Sequence, residues 1–146
     1  SGMIGGYAVD PVYAFREFML VKSAYQNIDG RQLLHFIVSF SMTEAYRLST
    51  DDMLALGHDI CHLFPGHQSV YTLHMDSAHC HLHFVVNSVS FEDGKKHFSG
   101  FHDLFPVRDF LQECFPRSNV HIYQSFPDSD VNRFGCSDDD ELLRID

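Results

Sequence analysis

Tryptophan is absent from this chain of 146 residues, and positive charge is scarce: 10 Lys and Arg stand against 20 Asp and Glu, a formal net charge of −10. That sign is wrong for a protein whose whole surface attracts nucleic acid. The four cysteines (Cys61, Cys80, Cys114, Cys136) include no Cys-x-x-Cys pair. They exclude a disulfide scaffold and a zinc knuckle, and they read as reduced thiols of a cytoplasmic protein. A long apolar run is missing too. The longest, Leu33 to Phe40, is broken by His35 and Ser39 and falls far short of the roughly 20 residues a bilayer span needs. No signal-peptide pattern precedes it, so no membrane partner is expected. What remains is ample material for one core: 45% of the residues are hydrophobic, with 14 Phe and 6 Tyr, which excludes disorder across the whole chain.

The charge is unevenly spread. From Asp128 to Asp146, seven acids face only Arg133 and Arg144, so this tail carries half of the net charge. Too much like charge lies there to pack, and the expectation is a domain over residues 1–127 followed by an acidic, mobile tail over 128–146. Ser1-Gly2 ahead of Met3 reads as a remnant of expression, with Met3 as the native start.

Local signals give a coarse map. Asp10-Pro11 opens a helix running to about Tyr25. After the turn Asn27-Ile28-Asp29-Gly30, Leu33 to Phe40 reads as a strand. Thr50-Asp51-Asp52 caps a helix whose Met53, Leu54, Leu56, Ile60, Leu63 and Phe64 recur at helical spacing until Pro65-Gly66. Gln68–His74 and His79–Phe91 read as strands joined by a hairpin-length loop, and therefore antiparallel. Phe105 to Phe115 is a further helix, and Asn119–Phe126 a last strand. Interleaved helices and an obligatory hairpin predict an α+β fold, with helices packed against a mostly antiparallel sheet.

The surplus is histidine, eleven residues in all. Histidine ligates metals, carries protons and contacts phosphate near neutral pH. His74, Asp76, His79, His81 and His83 fall within ten residues. In a strand the side chains alternate, so His79, His81, His83, Val85 and Asn87 share one face, while Cys80, Leu82, Phe84 and Val86 share the core face. The hairpin brings His74 within reach of this face. Three imidazoles from two strands leave coordination positions open, as a metal that polarises a substrate requires. Asp76 either fixes a ligand tautomer from behind or closes the hairpin as an Asx turn. His58 and His62 lie four apart on a helix without the Glu of His-Glu-x-x-His and read as surface residues. His97, His102 and His121 read as ordinary surface or strand positions, and His67 as a turn residue.

The segment His74 to Lys96, H-x-D-x-x-H-x-H-x-H followed by F-V-V-N-S-V-x-F-E-D-G-K-K, closely resembles the metal-binding motif of MobP-type relaxases. These are bacterial plasmid and transposon mobilisation nucleases of the HUH endonuclease superfamily. Asp29-Gly30-Arg31 leading into Leu34–Phe40, and Gly5-Gly6-Tyr7 leading to Phe18-Met19, resemble the family's preceding strand and first helix. The resemblance covers about Gly5 to Phe98. It implies a central strand bearing His81-Leu82-His83, and a divalent metal, Mn or Mg in function with Zn or Ni as alternatives, on His74, His81 and His83. It further implies single-stranded DNA at an origin of transfer as substrate, with relaxosome accessory proteins as partners in conjugation. A tyrosine becomes linked to the 5′ phosphate in such enzymes. His79 would contact the phosphate or compete as a ligand, and Asn87 shares its face.

The resemblance also implies a difficulty, because the attacking tyrosine of the family precedes the stretch matching Gly5-Gly6-Tyr7. Tyr7 is the candidate nucleophile within this chain, with Tyr13 and Tyr25 read as helix-packing residues. Two alternatives therefore stand beside a DNA-nicking, strand-transferring domain. One is an inactive relaxase remnant that binds metal and DNA or a protein partner. The other is a cupin-like metalloenzyme, which three helices and few glycines disfavour.

Overall fold

The computed structural model describes residues 3–75, 80–123 and 141–145. Its six strands are β1 (Ile4–Tyr7), β2 (Leu33–Phe40), β3 (Ser69–Met75), β4 (Cys80–Asn87), β5 (Val120–Tyr123) and β6 (Glu141–Ile145), and its helices are α1 (Ala14–Ala24), α2 (Met42–Arg47), α3 (Thr50–Cys61) and α4 (Phe105–Cys114). The strands form one sheet in the order β1-β3-β4-β2-β6-β5. Every neighbouring pair is antiparallel except β2 and β6, which run parallel. The α+β class and the mostly antiparallel sheet are as the sequence leads one to expect, with His81-Leu82-His83 on β4, an inner strand.

Strand alternation sorts the residues into two faces. Leu34, Phe36, Val38 and Phe40 of β2, Tyr71 and Leu73 of β3, and Cys80, Leu82, Phe84 and Val86 of β4 are buried in one cluster with Met53, Ile60 and Cys61 of α3 and Val107 and Leu111 of α4. This is the core face, and Phe36 and Phe84 stack across it at a centroid distance of 4.7 Å. Helix α3 lies close to the sheet because Gly57 leaves room for the ring of Tyr71, and Gly5 of β1 makes room for the same ring. A Cβ at Gly57 would stand 2.7 Å from the Tyr71 ring. Helix α3 begins one residue earlier than Thr50 would suggest: Ser49 is the N-cap, and its hydroxyl and the Asp52 carboxylate form a reciprocal capping box.

One sequence expectation fails. The end of the supposed mobile tail, Glu141–Ile145, is strand β6, seated between β2 and β5. Leu142, Leu143 and Ile145 are fully buried. The acidic run Asp138 to Glu141 dominates the composition of that segment and hides the apolar Leu142-Leu143-x-Ile145 that drives its burial. Residues 128–140 lie outside the described residues, as does the end of the expected last strand beyond Tyr123.

Candidate metal centre and its sheet face

Opposite the core, the sheet presents rows of side chains in register. His74 of β3 pairs with His81 of β4, His81 with Ser39 of β2, Ser39 with Arg144 of β6, and Arg144 with His121 of β5. The next row on the same face is Thr72, His83, Ile37, Leu142 and Tyr123, followed by Val70, Val85 and His35. Among the described strand residues of these rows none is aspartate or glutamate. A chain with net charge −10 thus keeps carboxylates off one face and lines it with five histidines and an arginine.

His74, His81 and His83 converge: one ring nitrogen from each lies within 4.8 Å of the others. Their centroids stand 5.2 Å (His74 and His81), 5.9 Å (His74 and His83) and 4.7 Å (His81 and His83) apart. His74 is exposed, His81 buried and His83 intermediate, so the cluster opens to solvent on the β3 side. Nε2 of His83 is buried without a hydrogen-bond partner. A buried polar atom left so costs free energy unless a ligand fills the gap. Burial first, then the neighbouring His81, His35 and His74, pushes the His83 imidazole down to about 3. His83 is therefore neutral, with its lone pair available, across the physiological range. Three imidazole donors, with His83 held neutral, fit a divalent metal ion.

His35 is the residue that sequence reading missed, registering only as an interruption of an apolar run. Its ring stacks on His83 with centroids 6.0 Å apart and planes 23° from parallel. The signal was available in β2, where His35 and Ser39 alternate out of phase with Leu34, Phe36, Val38 and Phe40.

Asp76 and His79 lie outside the described residues. Asn87 is on the same face of β4 but four residues beyond His83, about 13 Å along the strand, and is fully buried. Its amide donates to the Phe18 carbonyl of α1 (3.3 Å) and to Oε1 of Gln68 (2.9 Å), while its Oδ1 accepts from Val89 N (3.3 Å). Asn87 thus ties α1 to the sheet and is out of reach of a phosphate. His67, expected in a turn, is buried, and its Nδ1–H donates to the Asn87 carbonyl at 2.8 Å.

Tyr7 is turned away from the triad. Its register partner is Ser69, which puts it in phase with Tyr71 and Leu73 on the core face. There its ring meets His62 at the end of α3, with centroids 4.8 Å apart. The expectation that Tyr7 attacks a phosphate held at the triad runs against this register, because the sheet itself stands between them.

An open six-stranded sheet with α3 and α4 on its core face, and on the other face a histidine triad centred on an inner strand, is an α+β fold with a candidate metal centre rather than a barrel. The sequence profile "Relaxase: MobA/VirD2-like, nuclease domain" matches residues 2–117, and the chain belongs to this family. Two relatives are Staphylococcus aureus proteins, each named Protein rlx. One is 29% identical over 111 residues, covering 75% of this chain and 33% of the relative, and the other 34% identical over 93 residues, covering 63% and 29%. The chain spans about a third of the length of these relatives. No solved structure matches it significantly. Among the described residues, no helix is long and apolar enough to cross a membrane.

Proposed function

We propose that this chain is the catalytic domain of a relaxase that nicks single-stranded DNA at an origin of transfer on a plasmid or transposon. The observation that carries the reading is the convergence of His74, His81 and His83, with a buried His83 nitrogen lacking a protein partner, on a face whose described strands carry no carboxylate. A divalent ion held by the three imidazoles would draw charge from the scissile phosphate and make it a better electrophile. Three nitrogen donors suit Mn, Zn or Ni better than Mg, which prefers oxygen.

The protein's own groups do the rest. Burial keeps the His83 imidazole neutral. The absence of carboxylates among the described strand residues of the surrounding rows lets a polyanionic strand approach an acidic protein. Nucleophilic attack forms a bond from a phenol oxygen to the 5′ phosphorus while the 3′ oxygen leaves with a proton. The register of Tyr7 with Ser69 and its ring contact with His62 support a source for that phenol other than Tyr7.

That placement of Tyr7 also favours a second reading, a domain that keeps the metal and DNA sites, or contacts accessory proteins of the relaxosome, without cutting on its own. Calorimetric titration with Mn²⁺ tests the common premise: the native chain binds and His81→Ala/His83→Ala does not. Equal binding by both proteins removes the metal centre. Candidate-origin oligonucleotides incubated with Mn²⁺ then separate the two readings, a denaturation-resistant protein–DNA adduct marking the nicking domain.

A further inference from the structure

Arg144 lies two strands from His81 in the same row, through Ser39, or about 10 Å across the sheet at ordinary strand spacing. It is the one Lys or Arg among the described strand residues of the histidine face. Its guanidinium lies over the ring of Tyr123, 5.8 Å from the centroid, among its other contacts. His121 is its register partner on β5 and is exposed. These residues come from β5 and β6, beyond the segment 2–117 that matches the family.

We propose that Arg144, steadied by Tyr123 and flanked by His121, is a second phosphate station, binding a phosphodiester of the single strand whose neighbouring phosphate lies at the triad. The inference rests on the proposed DNA substrate and adds to it a polarity of approach: the strand crosses the sheet from β3 toward β5, over Ser39, rather than running along β4. Guanidinium suits this task because its planar fork offers paired N–H donors to two phosphate oxygens and stays charged at every working pH. Stacking on Tyr123 limits its rotamers, so less freedom is lost on binding. A direction along β4 would instead meet Val85 and the buried Asn87, which offer a phosphate nothing.

The test uses the full chain with Mn²⁺ and a fluorescein-labelled oligothymidylate, read by anisotropy across a salt series. Arg144→Gln is expected to weaken binding several-fold at low salt and to reduce the slope of log affinity against log salt by about 0.7, the value for one phosphate contact on a single strand. Arg144→Lys should keep most of the slope and recover only part of the affinity. Calorimetric Mn²⁺ binding should be the same in all three proteins, which separates a lost DNA contact from a damaged sheet. If the native chain binds the oligonucleotide and Arg144→Gln binds it equally well with an unchanged slope, the second station is overturned while the relaxase reading stands. Failure of the native chain to bind at all overturns both.

Discussion

Two histidines set how the metal-free protein responds to acid. Burial holds His67 below the ordinary histidine range, outweighing its hydrogen bond to the Asn87 carbonyl, and burial together with three neighbouring imidazoles holds His83 at about 3. Both stay neutral in the folded chain where the unfolded chain protonates, so their contribution is complete above about pH 6.5 and is lost as pH falls below it. Urea midpoints measured between about pH 7.5 and about pH 5.5 should therefore fall with pH, and His67→Gln should flatten that fall. A midpoint that rises on acidification contradicts the assignment. Asn87 is a second residue-scale case. Replacing it with Ala removes one hydrogen bond each from the Phe18 carbonyl, Gln68 Oε1 and the Val89 N–H, at a cost of about 1–3 kcal/mol. Metal affinity should be unchanged, because the side chain is remote from the triad.

Among the elements, β6 separates what local pattern reveals from what it conceals. β2 is found over Leu33–Phe40 as the apolar run after the Asn27–Gly30 turn suggests, and β4 because the two phases of its residues, histidine and apolar, are both complete. The triad was legible for the same reason: a period of two fixes the face, and a short hairpin fixes the partner strand. β6 was not legible, because five residues between acidic neighbours look like solvated tail until β2 offers them an open edge. That information resides in a pairing between Phe36 and Glu141, distant in sequence, and no local window contains it. Leu143 gives the discriminating measurement. It is fully buried in the core cluster, so Leu143→Ala should lower the unfolding free energy by about 2–5 kcal/mol. A loose tail would make the substitution silent. The side of the sheet that Tyr7 occupies was likewise not legible locally, since only its pairing with Ser69 reveals it.

For the whole molecule, the two faces of the sheet differ: one is buried against α3 and α4 in the core cluster, and the other sets five histidines and Arg144 beside the buried Ile37 and Leu142, with no carboxylate among its described strand residues. The overall charge thus says little about the charge of this one face. This division predicts that nothing attached to Tyr7 belongs to the reaction. If the chain forms an adduct with candidate-origin oligonucleotides, peptide mapping by mass spectrometry should find no nucleotide on Tyr7, and Tyr7→Phe should leave single-stranded DNA affinity intact. A nucleotide mapped to Tyr7 would require the strand to reach the helix layer, contrary to the register of β1.

The parallel pairing of β2 with β6 bears on how the chain is made. Phe36 meets Glu141, so a ribosome delivers the second strand long after the first, roughly 5–20 s later at ordinary elongation rates. During that interval the β2 edge carries Phe36, Ile37 and Val38 with free backbone donors and acceptors, a template for any extended chain nearby. The nascent protein is thus most vulnerable to mispairing while its histidine triad, all on β3 and β4, has already been synthesised.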